Sequence, residues 1–207
     1  MCIKQINFNL WKEVLTKPEE TFKKEEKNAD LGKGTVNLVI AGLIAGFFSG
    51  LAAFAGVSTF GIAAGLGAGM MGAGLGIMAF VFSLIVTPIV AVLFWLIGSG
   101  VLYIFAMIFG GKGNYTKQSY LISLYYAPIM VIGAILAIIP IIGGILAFLV
   151  MLYGLYLLTL ALKQAHQVTM GKAVAIWLIP VVVIALLVAV LAAAFIMTML
   201  PLMMTPV

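Results

Sequence analysis

From Val36 to its last residue the chain is apolar, with two polar interruptions that divide it into stretches long enough to cross a bilayer. The first, Gly110 to Ser119, reads Gly-Gly-Lys-Gly-Asn-Tyr-Thr-Lys-Gln-Ser. The second, Lys163 to Lys172, reads Lys-Gln-Ala-His-Gln-Val-Thr-Met-Gly-Lys. In hydrocarbon, unsatisfied backbone groups and cations each cost several kcal/mol. Both interruptions are therefore expected as loops at a membrane face.

The apolar stretches predict helices. A first span runs from Val36 to about Gly56 and carries Gly42, Gly46 and Gly50 at four-residue spacing, which lays a flat groove along one face where another helix can approach closely. Gly61 to Gly76 repeats that spacing and reads either as a flexible connection or as a glycine-zipper extension of the hairpin, with some helical content. Ile77 to Phe109 is too long for one straight span, and Pro88 is placed to kink or break it. Tyr120 to Ile139 follows, with Pro128 inside. Pro140 and Gly143-Gly144 then mark a tight hairpin back into Ile145 to Leu162. A last span, about Ala173 to Met199, is bent or broken at Pro180, and Pro201 to Val207 bears no side-chain charge.

Ahead of these spans, residues 1–34 form a polar tail with a helical stripe: Phe8, Trp11, Leu15, Pro18 and Phe22 recur at steps of three and four. The spacing predicts a short helix over Phe8 to Leu15 and another over Lys17 to Asn28. Pro18 sits in the first turn of the second, and Thr16 and Glu19 stand at capping-box spacing. Such a stripe serves either an interfacial helix with Trp11 at headgroup depth or packing against the protein's own loops.

Charge decides the span count. Of 207 residues, 65% are hydrophobic and 8% charged, against about 25% charged in ordinary soluble domains. All six carboxylates and seven of the eleven lysines precede Gly34, leaving Lys112, Lys117, Lys163 and Lys172 beyond it. With two spans between the tail and the Gly110 loop, every lysine falls on one face, as the positive-inside bias requires; with three, the loop lysines fall opposite the tail. The expectation is an all-α polytopic membrane protein of five transmembrane helices. Residues 1–34 are a cytoplasmic amphipathic tail, residues 35–207 the transmembrane domain, and the C-terminus is extracytoplasmic. The net charge of +5 is then a topology signal and not a nucleic-acid footprint, and arginine, the bidentate phosphate reader, is absent. The tail's length and mixed charge also differ from a cleaved signal peptide, so the N-terminus is expected to be mature.

Several motifs together resemble the Yip domain family: Phe109-Gly-Gly-Lys-Gly113, Tyr125-Tyr-Ala-Pro128, Ile138-Ile-Pro140-Ile-Ile-Gly143-Gly144, His166, and Gly171-Lys172-Ala173 ahead of Pro180. In the tail, Trp11, Leu15, Pro18 and Thr21-Phe22 resemble the segment that precedes the core in prokaryotic members. The resemblance implies a five-span helical fold with a cytoplasmic N-terminus. In eukaryotes it implies Ypt/Rab-interacting proteins of the endoplasmic reticulum and Golgi, acting in vesicle trafficking and membrane shaping; in a prokaryotic member it implies the cell membrane and no settled activity. Eukaryotic trafficking members carry an Asp-Leu-Tyr-Gly-Pro type segment before the first span. Here only Asp30-Leu31-Gly32 stands near that place, which removes the ground for expecting Rab binding.

Candidate chemistry is sparse. Cys2 is the only cysteine, and His166, the only histidine, has no carboxylate on its side of Gly34; it reads as a loop histidine near the headgroups. Ser83, Ser99, Ser119 and Ser123 lack a partner base and are expected to bond to their own backbone. Met197, Met199, Met203 and Met204 read as apolar filling more readily than as a copper site. No catalytic group, cofactor or metal is expected. The leading expectation is a non-enzymatic scaffold that meets the lipid bilayer and unidentified membrane or cytoplasmic proteins. Trp11, Leu15, Pro18 and Phe22 would serve as partner contacts. Lys112, Lys117, Lys163 and Lys172 would lie on anionic headgroups at about 1 kcal/mol each. Gly42, Gly46 and Gly50 would pack helices within the chain or across a homodimer. The alternative is a passive channel or uncoupled carrier, framed by helices broken at Pro88, Pro128 and Pro180.

Overall fold

A computed structural model describes residues 8–54, 73–139 and 141–204. Among them there are helices and connecting turns but no strand. Two short helices, α1 (Phe8–Thr16) and α2 (Pro18–Glu25), are followed by a 3₁₀ turn, Glu26–Asn28. Five long helices come next: α3 (Leu31–Phe54), α4 (Ala73–Ile108), α5 (Tyr115–Leu136), α6 (Ile142–His166) and α7 (Met170–Met204). All five are long and apolar enough to cross a membrane. Of the glycine-dense stretch, residues 61–72 lie outside the described residues, and the remainder to Gly76 opens α4.

The long helices run past the expected spans because their polar ends are helical too. Asp30 caps α3, its carboxylate accepting from Lys33 N at 2.8 Å. Asn114 caps α5 in the same way, accepting from Lys117 N at 2.8 Å. Tyr115 to Ser119, expected in a loop, therefore form the first turns of α5. The second interruption likewise shrinks to Gln167–Thr169, with Gln167 closing α6 in the left-handed region at φ 54°. Hydropathy reads depth in the bilayer, whereas caps set where a helix begins.

Prolines do not interrupt the spans. α4 continues through Pro88 and α5 through Pro128, and helical structure likewise runs through Pro180 in α7. The broken helices on which a channel was premised are thus absent at all three positions. The apolar part of α4, Gly76–Ile108, is 33 residues, about 50 Å of helix against about 30 Å of hydrocarbon, so it must tilt or protrude.

The glycine groove of α3 is filled by α4. A methyl at Gly42 would lie 2.5 Å from Pro88 Cα, one at Gly46 2.7 Å from the Ser83 carbonyl, and one at Gly50 2.9 Å from the Phe80 ring. The missing side chains let the α4 backbone come close at the point where Pro88 removes a hydrogen-bond donor. α5 is the most buried span. Its Leu121 and Leu124 are fully or almost fully buried and share a core with Leu38, Ala41 and Trp95 on one side and Leu157 and Leu160 on the other. Ala106, Leu162, Ala173 and Ile176 close a second core where α4, α6 and α7 meet. Beyond Pro180 the described side chains of α7, Val181 to Thr198, are all exposed. Up to Met197 they are apolar all round, the composition of a helix side bathed by lipid.

Candidate functional site: the polar end of the bundle

The tail is part of the core. Trp11, Val14 and Phe22 turn inward and join Leu121, Leu124 and Leu157 in one cluster, Phe22 with no exposed surface. Burying a side chain of that size contributes about 1.5–3 kcal/mol. α1 lies on α5 and α2 on α6. Of the two uses open to the stripe, packing against the protein itself is the one found. Trp11 and Phe22 are intramolecular contacts, and Leu15 and Pro18 are half-buried beside them. Thr16 does not form a capping box: it ends α1 and its hydroxyl donates to Lys12 O at 2.8 Å. Pro18 stands in the first turn of α2, as its missing N–H allows.

Polar contacts fasten the tail over the bundle. Trp11 Nε1 donates to Asn37 Oδ1 at 2.8 Å, and Asn37 Nδ2 donates to Ser123 O at 2.8 Å, linking α1, α3 and α5. Tyr120 donates to Glu25 Oε2 at 2.9 Å, Gln164 donates to Glu26 Oε2 at 2.8 Å, and Tyr153 donates to Leu15 O at 2.6 Å. Lys163 pairs with Glu19 at 3.1 Å, and Lys117 lies 4.0 Å from Glu26. Lys172 donates to Phe109 O at 3.2 Å, and Lys112 N to His166 O at 3.1 Å. Tail and both lysine-bearing connections therefore occupy one end of the bundle, which requires two spans between the tail and the Gly110 connection. Of the expected headgroup lysines, Lys163 and Lys117 face tail carboxylates, Lys172 caps α4, and Lys112 is exposed.

Beneath this layer sits His166, fully buried at the end of α6 and not in a loop. Its Nε2 is 2.7 Å from Gln118 Oε1, and Gln118 Nε2 donates to Ser99 O at 2.8 Å. Because the amide nitrogen is committed to a carbonyl, the amide oxygen must accept, so a neutral ring carries its proton on Nε2. Nδ1 and the Ser99 and Ser119 hydroxyls have no hydrogen-bond partner among the described residues. Of the other serines, Ser123 bonds to Tyr120 O at 2.7 Å, as expected of a span serine. Trp95 donates to Ser119 O at 2.8 Å, and Tyr115 to Leu96 O at 2.9 Å.

The Gly-Gly-Lys-Gly segment lies over this histidine. A methyl at Gly111 would be 2.8 Å from His166 Nδ1 and one at Gly113 3.0 Å from it, and the latter would also strike Ala165 O. Any side chain at either position meets the ring or the end of α6, so the glycines let the connection close over it. His166 has an amide for a partner and not a carboxylate, and no group of three metal-ligating side chains occurs among the described residues. The arrangement joins α4, α5 and α6. Gln118 was missed in the sequence because it stood in a presumed loop. The capping asparagine four residues before it was the available signal. Of the methionines, Met197 is exposed, and the side chains of Met199, Met203 and Met204 lie outside the described residues.

No curated protein and no solved structure matches the chain. The Yip1 domain matches residues 12–193, a range that takes in the end of α1, all of α2, the glycine segment, His166 and the start of every long helix. The chain belongs to the Yip1 domain family.

Proposed function

We infer that the protein is a non-enzymatic membrane scaffold of the Yip type, its N-terminus and both lysine-bearing connections in the cytoplasm, presenting the outer face of its docked tail to protein partners. The observation that carries this reading is the fastening of α2 and the 3₁₀ turn to α5 and α6 through Glu19, Glu25 and Glu26. A protein gripping the tail thereby grips the bundle. With Trp11 and Phe22 turned inward, the surface left for partners is charged. Lys12, Glu13, Lys17, Glu20 and Lys24 line a shallow groove of about 510 Å³ between α1 and α2. Orientation follows the positive-inside bias, since all four lysines beyond the tail lie at the tail's end of the bundle. An organising role in membrane traffic fits a chain whose spans offer helix surfaces and whose polar end offers a charged platform.

Crosslinking and affinity purification from native membranes test the reading. The full chain should retain a reproducible set of partners, and reversing the groove charges with Lys12→Glu, Lys17→Glu and Lys24→Glu together should release them while the protein still folds. A partner set indifferent to reversal counts against it, and solute flux through liposomes holding the pure protein would replace it with a pore. For orientation, an impermeant thiol reagent applied to intact cells should spare Lys112→Cys; modification there would invert the map.

A further inference from the structure

Between α1, the 3₁₀ turn, the start of α3 and α5 lies a cavity of about 270 Å³. Its walls combine a carboxylate, Glu25, an ammonium, Lys33, two aromatic rings, Trp11 and Tyr120, and apolar Leu10 and Val36. The two charges share the cavity yet do not pair. Among the described residues Glu25 accepts from Tyr120, at 2.9 Å, and the Lys33 ammonium donates to Asn28 O at 3.3 Å. Neither has an opposite charge within ion-pair distance among the described residues. Opposite charges held apart at a membrane face match a ligand that carries both signs on one short group. A carboxylate flanked by Trp and Tyr rings suits an alkylammonium, drawn both by charge and by the ring faces. A lysine at the same depth suits a phosphate.

The cavity also leads into the span. Val36 on its wall is exposed and begins a stripe along α3, continuing through Val39, Leu43 and Phe47, all at least 36% exposed and three or four residues apart, hence on one helix face. An acyl chain descending from a headgroup in the cavity would lie on that stripe.

We propose that this cavity binds the headgroup of a zwitterionic phospholipid, its ammonium at Glu25 between Trp11 and Tyr120, its phosphate at Lys33 and an acyl chain along Val36, Val39, Leu43 and Phe47. Native mass spectrometry of the detergent-purified full chain tests it with phosphatidylethanolamine and phosphatidylglycerol of matched acyl chains. The wild type should hold phosphatidylethanolamine about tenfold more tightly, the scale of one charge-assisted contact. Glu25→Gln should abolish the difference, and Lys33→Met should weaken both lipids. Tyr120→Phe loses the same tail hydrogen bond but keeps the carboxylate, and should keep the preference. Equal binding of both lipids by the wild type overturns the proposal, as does a preference that survives Glu25→Gln. Loss of the preference in Tyr120→Phe assigns the effect to tail docking and also overturns it. Soluble glycerophosphoethanolamine binding as tightly as the lipid would refute the acyl track.

Discussion

Gln118 joins three helices with one amide, its oxygen facing His166 on α6 and its nitrogen a carbonyl of α4. Such a group is expensive to remove, since a buried donor left without its acceptor costs about 1–3 kcal/mol. Gln118→Leu should therefore lower stability by about that amount through the orphaned His166 Nε2–H. Adding His166→Leu should recover part of the loss, because the orphan disappears with the ring. Thermal unfolding in detergent reads both; a double variant that loses the full sum of the two single changes would show that the pair does not interact. At this scale the sequence was half legible. His166 stood out as the only histidine, and the glycines at 111 and 113 stood out with it. Their common cause was hidden, because contact between Gly113 and Ala165 spans more than fifty positions and no local pattern reports it.

Among the elements, the pairing of α3 with α4 depends on side chains that are not there. Gly46→Leu places a branched side chain where even a methyl would sit 2.7 Å from a backbone carbonyl. The helices must separate or the leucine must leave its rotamer, at a cost of about 1–3 kcal/mol or more. Thermal stability should fall with no change in oligomer size, since the groove is occupied by the chain's own helix. Unchanged stability with a smaller particle would instead place that face in a homodimer. The four-residue glycine spacing was readable from the sequence; its occupant was not, because Pro88 reads as a breaker until its ring is seen seated against Gly42. The same limit explains the loop ends. Lys117 and Lys163 are charged, yet they stand on helical turns at the polar end of the bundle, so composition placed them in loops.

At the scale of the molecule, span number and the gathering of lysines on one face followed from charge counting alone, since charge records the side of the membrane on which each segment stays. The posture of the tail did not follow, because an amphipathic stripe is equally served by lipid or by a hydrophobic core. What selects the core here is the match of Glu19, Glu25 and Glu26 to Lys163, Tyr120 and Gln164, groups about 100 to 140 positions away along the chain. Both the proposed platform and the lipid cavity exist only while that match holds. The most direct test is oxidative crosslinking in native membranes of Glu19→Cys with Lys163→Cys, on a Cys2→Ser background, compared with Lys12→Cys paired with Lys163→Cys. A docked tail predicts rapid crosslinking of the first pair and little of the second; equal rates for the two would mean that the tail is not held on the bundle.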